Sequence, residues 1–227
     1  MHDSQAPVVT VDGPSGAGKG TVVRILAQHF GWHVLDSGAI YRLAGLAAAR
    51  RRVDLDDCEA LSALARRLDI VFESSDSGVR VLLDGDDVTN DIRSEAVGAL
   101  ASRVAKIESV RANLLQRQRD FAQMPGLIAD GRDMGTAVFQ DAPLKIYLTA
   151  SVEARAQRRL LQLESMGHKG DLDTVREQIR ARDNQDMSRS VSPLKPADDA
   201  VIIDSTELTV EQVCDQIILL VNQRGLG

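Results

Sequence analysis

The sequence predicts an α/β fold: five parallel strands flanked by helices on both faces, with a small antiparallel β insertion and a short helical lid. Three observations predict it. A β-branched run at residues 8–12 breaks into a glycine-rich turn and then into helical spacing. Strands and helices alternate along most of the chain. One central stretch switches instead to short alternating segments joined by hairpin turns. With 227 residues, 44% of them hydrophobic, the chain is long enough for one α/β unit with a sizeable core and a small insertion.

The first strand feeds the turn of residues 12–21, DGPSGAGKGT. Gly13, Gly16 and Gly18 open backbone conformations closed to residues with a Cβ, so successive N–H groups can converge on one anion. Val22, Val23, Ile25, Leu26 and Phe30 follow at helical spacing, which places the turn against a helix N-terminus. The spacing Gly13-x-x-x-x-Gly18-Lys19 is the phosphate-binding P-loop pattern, in its expected strand–loop–helix context. Gly20 stands where that pattern wants Ser or Thr, and Thr21 carries the hydroxyl one residue later. This leaves room for a water-mediated contact to Mg²⁺ in place of direct ligation.

Residues 32–35 read as a strand that delivers Asp36-Ser37-Gly38 to a turn, and residues 39–51 as a helix. Ligands collect at the carboxyl ends of parallel strands, so Ser37, Tyr41 and Arg42 are expected near the P-loop. A helix is expected over 53–68, capped by Asp54 or Asp56. Residues 69–73 and 79–83, separated by SSDSG, read as a hairpin, with a further turn into a third strand at 84–88. This antiparallel material marks an inserted subdomain at 66–100 that could cover a second substrate site. Two helices follow, over 94–107 and over 109–123, the second capped by Ser109 and carrying Arg111, Arg117 and Arg119, with Pro125-Gly126 ending it.

Residues 127–130 read as a buried strand that closes on Asp130-Gly131-Arg132-Asp133. A carboxylate at such a strand end suits an Mg²⁺-associated role, and the spacing leaves open whether Asp130 or Asp133 takes it. After a strand at 144–148, Ser151 opens a helix in which Arg155, Arg158 and Arg159 share one face. The break at Gly167–Gly170 precedes a helix over 172–187 with Arg176, Arg180 and Arg182, followed by Arg189. The 152–190 region therefore reads as an arginine-rich lid, since a guanidinium fork can chelate phosphate oxygens as the lid closes. A strand at 200–204 and a helix with a Thr209-x-x-Gln212 capping box, ending at Gly225, complete the sheet.

A net charge of −6 and seven aromatic residues argue against a nucleic-acid groove. Cys58 and Cys214 read as buried free thiols and His29 and His33 as packing or surface residues, so no zinc or redox site is expected. The opening residues lack a basic region followed by an apolar run, and nowhere do eighteen apolar residues follow one another. A cytoplasmic protein with no membrane partner is expected.

Four blocks in order, DGPSGAGKGT (12–21), VLDSGAIYR (34–42), LIADGRDMGTAVFQDAPLKIYL (127–148) and RDNQDMSRSVSPL (182–194) with DST (204–206), resemble bacterial cytidylate kinases over nearly the whole chain. The resemblance implies phosphorylation of CMP and dCMP by ATP with Mg²⁺, by a monomer. It implies that Gly13, Pro14, Ser15, Gly16, Ala17, Gly18, Lys19, Gly20 and Thr21 wrap the ATP phosphates, that Lys19 reaches the β and γ groups, and that Arg158 serves the ATP side. Arg42 and Arg132 would hold the CMP phosphate, with Ser37 beside it. Asp133 would accept from the cytosine amino group, and Arg111 with Ser102 would serve the base. Tyr41, Arg182 and Asp186 fall near the ribose, and Arg189 near the transferring phosphate. The stretch 66–100 matches the family's extended monophosphate-binding domain. A P-loop kinase for another small acceptor, such as UMP, is the alternative.

Overall fold

The computed structural model describes residues 6–75, 78–165, 167 and 169–227. Expectations for residues 1–5, for Asp76 and Ser77 in the hairpin turn, and for Met166 and His168 in the glycine break lie outside the described residues. In chain order the elements are β1 (Val8–Asp12), α1 (Lys19–Phe30), β2 (His33–Asp36), α2 (Ser37–Arg50), α3 (Cys58–Arg66), β3 (Ile70–Ser75), β4 (Gly78–Leu83) and β5 (Asp86–Asp87). A 3₁₀ turn (Asp91–Arg93), α4 (Glu95–Val104), α5 (Glu108–Arg119), β6 (Leu127–Gly131), a wide π-type turn (Met134–Val138) and β7 (Leu144–Thr149) follow. The last are α6 (Val152–Ser165), α7 (Leu172–Met187), β8 (Val201–Asp204) and α8 (Val210–Gln223). The described residues fall into two compact units, 6–35 with 119–227 and 36–118. The expected insertion at 66–100 lies inside the second.

The first unit is built on a five-stranded parallel sheet in the order β2-β6-β1-β7-β8. β1 is central: Val9 pairs with Ile128 on one side and Leu144 on the other. All five of its residues are buried, as a parallel strand covered on both faces requires. Alternation along β1 then divides the work. Val9 and Val11 pack with Leu26 of α1, Ile146 of β7 and Ile217 and Val221 of α8. Thr10 and Asp12 point the opposite way. From β1 the chain runs to β2 on one side, and β7 and β8 lie on the other, so β1 sits at the topological switch point and its carboxyl end is where ligands bind in such sheets. α6 and α7 share a smaller core of Ala156, Val175 and Ile179.

In the second unit α2 packs closely on α4. A Cβ at Gly45 would meet Leu100 Cβ at 2.8 Å and the Ala101 nitrogen at 3.0 Å, so glycine is what permits the approach. β3, β4 and β5 form an antiparallel sheet. Asp84 and Gly85, both with positive φ (53° and 84°), make the two-residue turn between β4 and β5.

Four local expectations are corrected. The helix expected at 53–68 is only α3, because Asp57 caps it by accepting from the Ala60 N–H at 2.9 Å, while Asp54 folds back on the Asp56 N–H at 3.0 Å. α5 begins at Glu108, which leaves Ser109 inside the helix instead of at its cap, and it ends at Arg119, where the Ala122 N–H turns back to the Arg119 carbonyl. The third strand is only Asp86–Asp87. Cys58, beside the Asp57 cap, is exposed, whereas Cys214 is buried in α8. Among the described residues no helix is long and apolar enough to cross a membrane.

Candidate active site

The P-loop joins β1 to α1. Gly13, Gly16 and Gly18 all have positive φ (150°, 79° and 91°). Gly18 is the N-cap of α1 and offers no side-chain cap, so the helix presents its first N–H groups and the positive end of its dipole to the loop. Lys19, the first residue of α1, is buried, and its Nζ donates to the Pro14 carbonyl at 2.9 Å and stands 3.9 Å from Asp130 Oδ1. Burial, with Arg132 and then Arg182 nearby, brings the Lys19 ammonium down to about 8, against the pull of Asp130 and Asp12. The charge is therefore held at a cost.

Two carboxylates flank this lysine. Asp130, at the end of β6, turns its other oxygen toward the start of α1, where a Cβ on Gly20 would lie 3.8 Å from Oδ2. The geometry thus places Asp130 beside the P-loop lysine. Asp12, at the end of β1, was not singled out by any motif. Its two oxygens accept from the Met134 and Gly135 N–H groups, each at 2.8 Å, which fastens the strand carrying the P-loop to the turn that follows Asp133. Burial raises its carboxyl to about 7 in spite of these two bonds. Asp133 is itself buried, with its carbonyl accepting from the Ala137 N–H at 2.9 Å.

Two of the arginines singled out from the sequence, Arg132 and Arg189, meet on Asp186 of α7. Asp186, almost wholly buried, accepts from Arg132 Nε at 3.1 Å and pairs with Arg189, three residues on. Arg132 also donates to the Gly131 carbonyl. Asp186, expected near a ribose, is thus the carboxylate that organises two of the arginines. Arg158 is half-buried, donating to the Ser205 hydroxyl at 3.1 Å and to the Ser205 carbonyl, and Ser205 Oγ in turn reaches the Ala17 carbonyl of the P-loop at 3.4 Å. The shared face of Arg155, Arg158 and Arg159 is therefore not uniformly solvated. Arg155 is buried on Asp183, and Arg159 lies along its own helix on Gln162.

In the second unit, Ser37 is buried and its hydroxyl donates to Gln118 Oε1 at 2.7 Å. Arg42 donates to the Ile92 carbonyl at 2.8 Å and lies along Gly98, where a Cβ would stand in ordinary contact 3.6 Å from its Nη1. Arg111 is buried, donates to the Ala105 carbonyl at 3.3 Å and stands 5.4 Å over the Tyr41 ring. Ser102 is on α4, partly buried. Gln118, which holds Ser37, and Asp183, which holds Arg155, escaped the sequence reading. Each is a polar residue on a helix whose pattern otherwise reads as solvated, and the signal that finds it is burial.

Comparison with known proteins shows the family. The family model described as cytidylate kinase matches residues 9–223. The chain is 55% identical over 226 residues to the cytidylate kinase of Pseudomonas putida (strain W619), covering 99% of both chains. It is 54% identical over 225 residues to that of Pseudomonas paraeruginosa (strain DSM 24068 / PA7), covering 98% of both. With the match running from the P-loop strand to the end of the last helix, the chain belongs to the cytidylate kinase family.

Proposed function

We propose that this protein transfers the γ-phosphoryl group of ATP to CMP or dCMP, giving ADP and CDP or dCDP. The observation that carries the reading is the uncapped start of α1 with buried, carboxylate-flanked Lys19 at its first residue, in a chain of this family. A CMP phosphate oxygen attacks the γ-phosphorus in line and ADP leaves. No covalent intermediate on the protein is needed, so positioning and charge carry the catalysis. The loop N–H groups of residues 13–21 hold the ATP phosphates and Lys19 takes up charge on the transferring group, with Arg158 on the ATP side. Arg132, Arg182 and Arg189 stabilise the same developing charge, and Asp186 keeps Arg132 and Arg189 in place.

Asp133 accepts from the cytosine amino group, where uracil would present a repelled carbonyl. In the second unit Arg42 and Ser37 serve the monophosphate, Arg111 and Ser102 the base, and Tyr41 the ribose side. The stretch 66–100 belongs to this monophosphate side, and 152–190 acts as the lid. Mg²⁺ would supply neutralisation of the β- and γ-phosphate oxygens. The hard oxygen donors suited to it are Asp130, turned toward the start of α1, and the exposed Thr21. The family resemblance further supports a cytoplasmic monomer.

The test is ADP formation from Mg·ATP in parallel wells with CMP, dCMP, UMP, AMP or no acceptor. Fast turnover with CMP and dCMP, slow turnover with UMP and almost none without acceptor is the expected result. Equal turnover in every well would mean an ATPase and refute the reading.

A further inference from the structure

Arg155, near the start of α6, is 4% exposed and makes four hydrogen bonds in three directions. Nε donates to the Ala150 carbonyl at 3.0 Å, just after β7. Nη1 and Nη2 clasp the Asp183 carboxylate of α7 at 3.1 and 2.7 Å. Nη1 also donates to the Ser15 carbonyl in the P-loop at 3.1 Å. The stem of the same side chain lines the loop, since a Cβ on Gly16 would stand 3.2 Å from Arg155 Cβ. The apex of the phosphate loop thus rests on one buried guanidinium.

The anchor of that guanidinium lies on α7. Asp183 and Asp186 are three residues apart on one helical face, both buried, and each holds arginine: Asp183 holds Arg155, and Asp186 holds Arg132 and Arg189. A buried ion pair is weak evidence for stability, because desolvation offsets most of its attraction. Stability also gives no reason for the third arm on a loop carbonyl. An arginine suits it because one planar fork can hold a carboxylate with two donors and still spare an N–H for the carbonyl, which lysine cannot do at the same geometry.

We propose that Arg155 is a positioning residue that makes the shape of the phosphate loop at Ser15 depend on the seating of α7. The helix bearing Arg182 and Asp186, and the loop that grips ATP, are set by one ion pair. The inference rests on the reading that this loop holds ATP.

Two variants test it. In the double variant Arg155→Met/Asp183→Leu both charges leave together for apolar groups of similar size, which spares the fold the cost of an unpaired buried charge. Its KM for ATP and its calorimetric Kd for ADP alone are expected to rise about tenfold, the worth of one charge-assisted hydrogen bond lost from the loop, while KM for CMP moves less than about threefold. Arg155→Lys keeps the charge but loses the fork, and should give the same split at a smaller size while retaining the wild-type melting temperature within a few degrees. If the double variant does not fold, Arg155→Lys alone decides. A wild-type Kd for ADP in a folded variant, or equal changes in both KM values, would overturn the proposal. Wild-type enzyme assayed in parallel separates the two ideas: absence of CMP-dependent ADP formation there sinks the kinase reading, whereas normal wild-type turnover with an unsplit variant sinks only the role of Arg155.

Discussion

Replacing Gly13 by alanine should be among the most damaging single-methyl changes in the first unit, and Gly18→Ala is its control. Both positions have positive φ, 150° and 91°, so alanine is strained at either, at about 1–3 kcal/mol. They differ in space. A Cβ at Gly18 would meet nothing within 4 Å. At Gly13 it would fall on the Leu148 main chain, 3.0 Å from the carbonyl carbon and 3.4 Å from the nitrogen, with the carbonyl oxygen inside any contact distance. Leu148 cannot retreat cheaply, because β7 is paired with β1 on one side and β8 on the other. Overpacking against such a neighbour adds roughly 1–3 kcal/mol to the strain. At about 2–4 °C per kcal/mol for a chain of this size, and with the middle of each range (about 2 kcal/mol for Gly18→Ala, about 4 kcal/mol for Gly13→Ala), Gly18→Ala should lower the melting temperature by about 4–8 °C and Gly13→Ala by about 8–16 °C. The assay is thermal unfolding without nucleotide, followed by circular dichroism. Equal shifts for the two variants would refute the argument, since only the clash distinguishes them.

Lys19→Met should leave the melting temperature near wild type but cut kcat by about 10²–10³, as expected when a charge at the transferring group is removed, and turnover within a few-fold of wild type would contradict the P-loop mechanism. Asp133→Ala should lower kcat/KM for CMP by about 10- to 100-fold while KM for ATP moves less than about threefold, and equal effects on both would sink the assignment of Asp133 to the base. The pH dependence of stability follows from two buried groups. Asp12 is raised from 3.8 to about 7, so the folded state binds its proton more tightly than the unfolded chain, and stability should fall as the pH rises from about 4 to about 7, by on the order of 4 kcal/mol. Lys19 is lowered from 10.5 to about 8, so its charging penalty is present below 8 and relieved as the pH climbs toward 10.5. Urea midpoints across this range should show the acid-side decline in the wild type and lose it in Asp12→Asn; an unchanged decline in that variant would place its source elsewhere.

The local signals carried the reading where they were concentrated. The P-loop glycines, the Thr209–Gln212 capping box and the strand periods act within a few residues, so their geometry is written in consecutive side chains. Boundaries that depend on competing local bonds were harder to read. Asp54, Asp56 and Asp57 are all plausible caps by type, and only the backbone path shows that Asp57 caps α3 while Asp54 closes a turn.

What the sequence by itself determined is the α/β class, the phosphate loop, the carboxylate-bearing strand end and, through four matching blocks, the family. Those features rest on residue type at fixed short spacing, and the chain has little freedom to arrange them otherwise. What only the tertiary structure decided is which charges work together. Arg155 meets Asp183 28 residues away and Ser15 140 residues away, and Asp12 meets Met134 122 residues away. On a helix face or at a strand end such groups have the same local sequence signature whether they face water or a buried partner. Folding settles the matter, because a charge removed from water must find its counter-charge or donors wherever packing brings them.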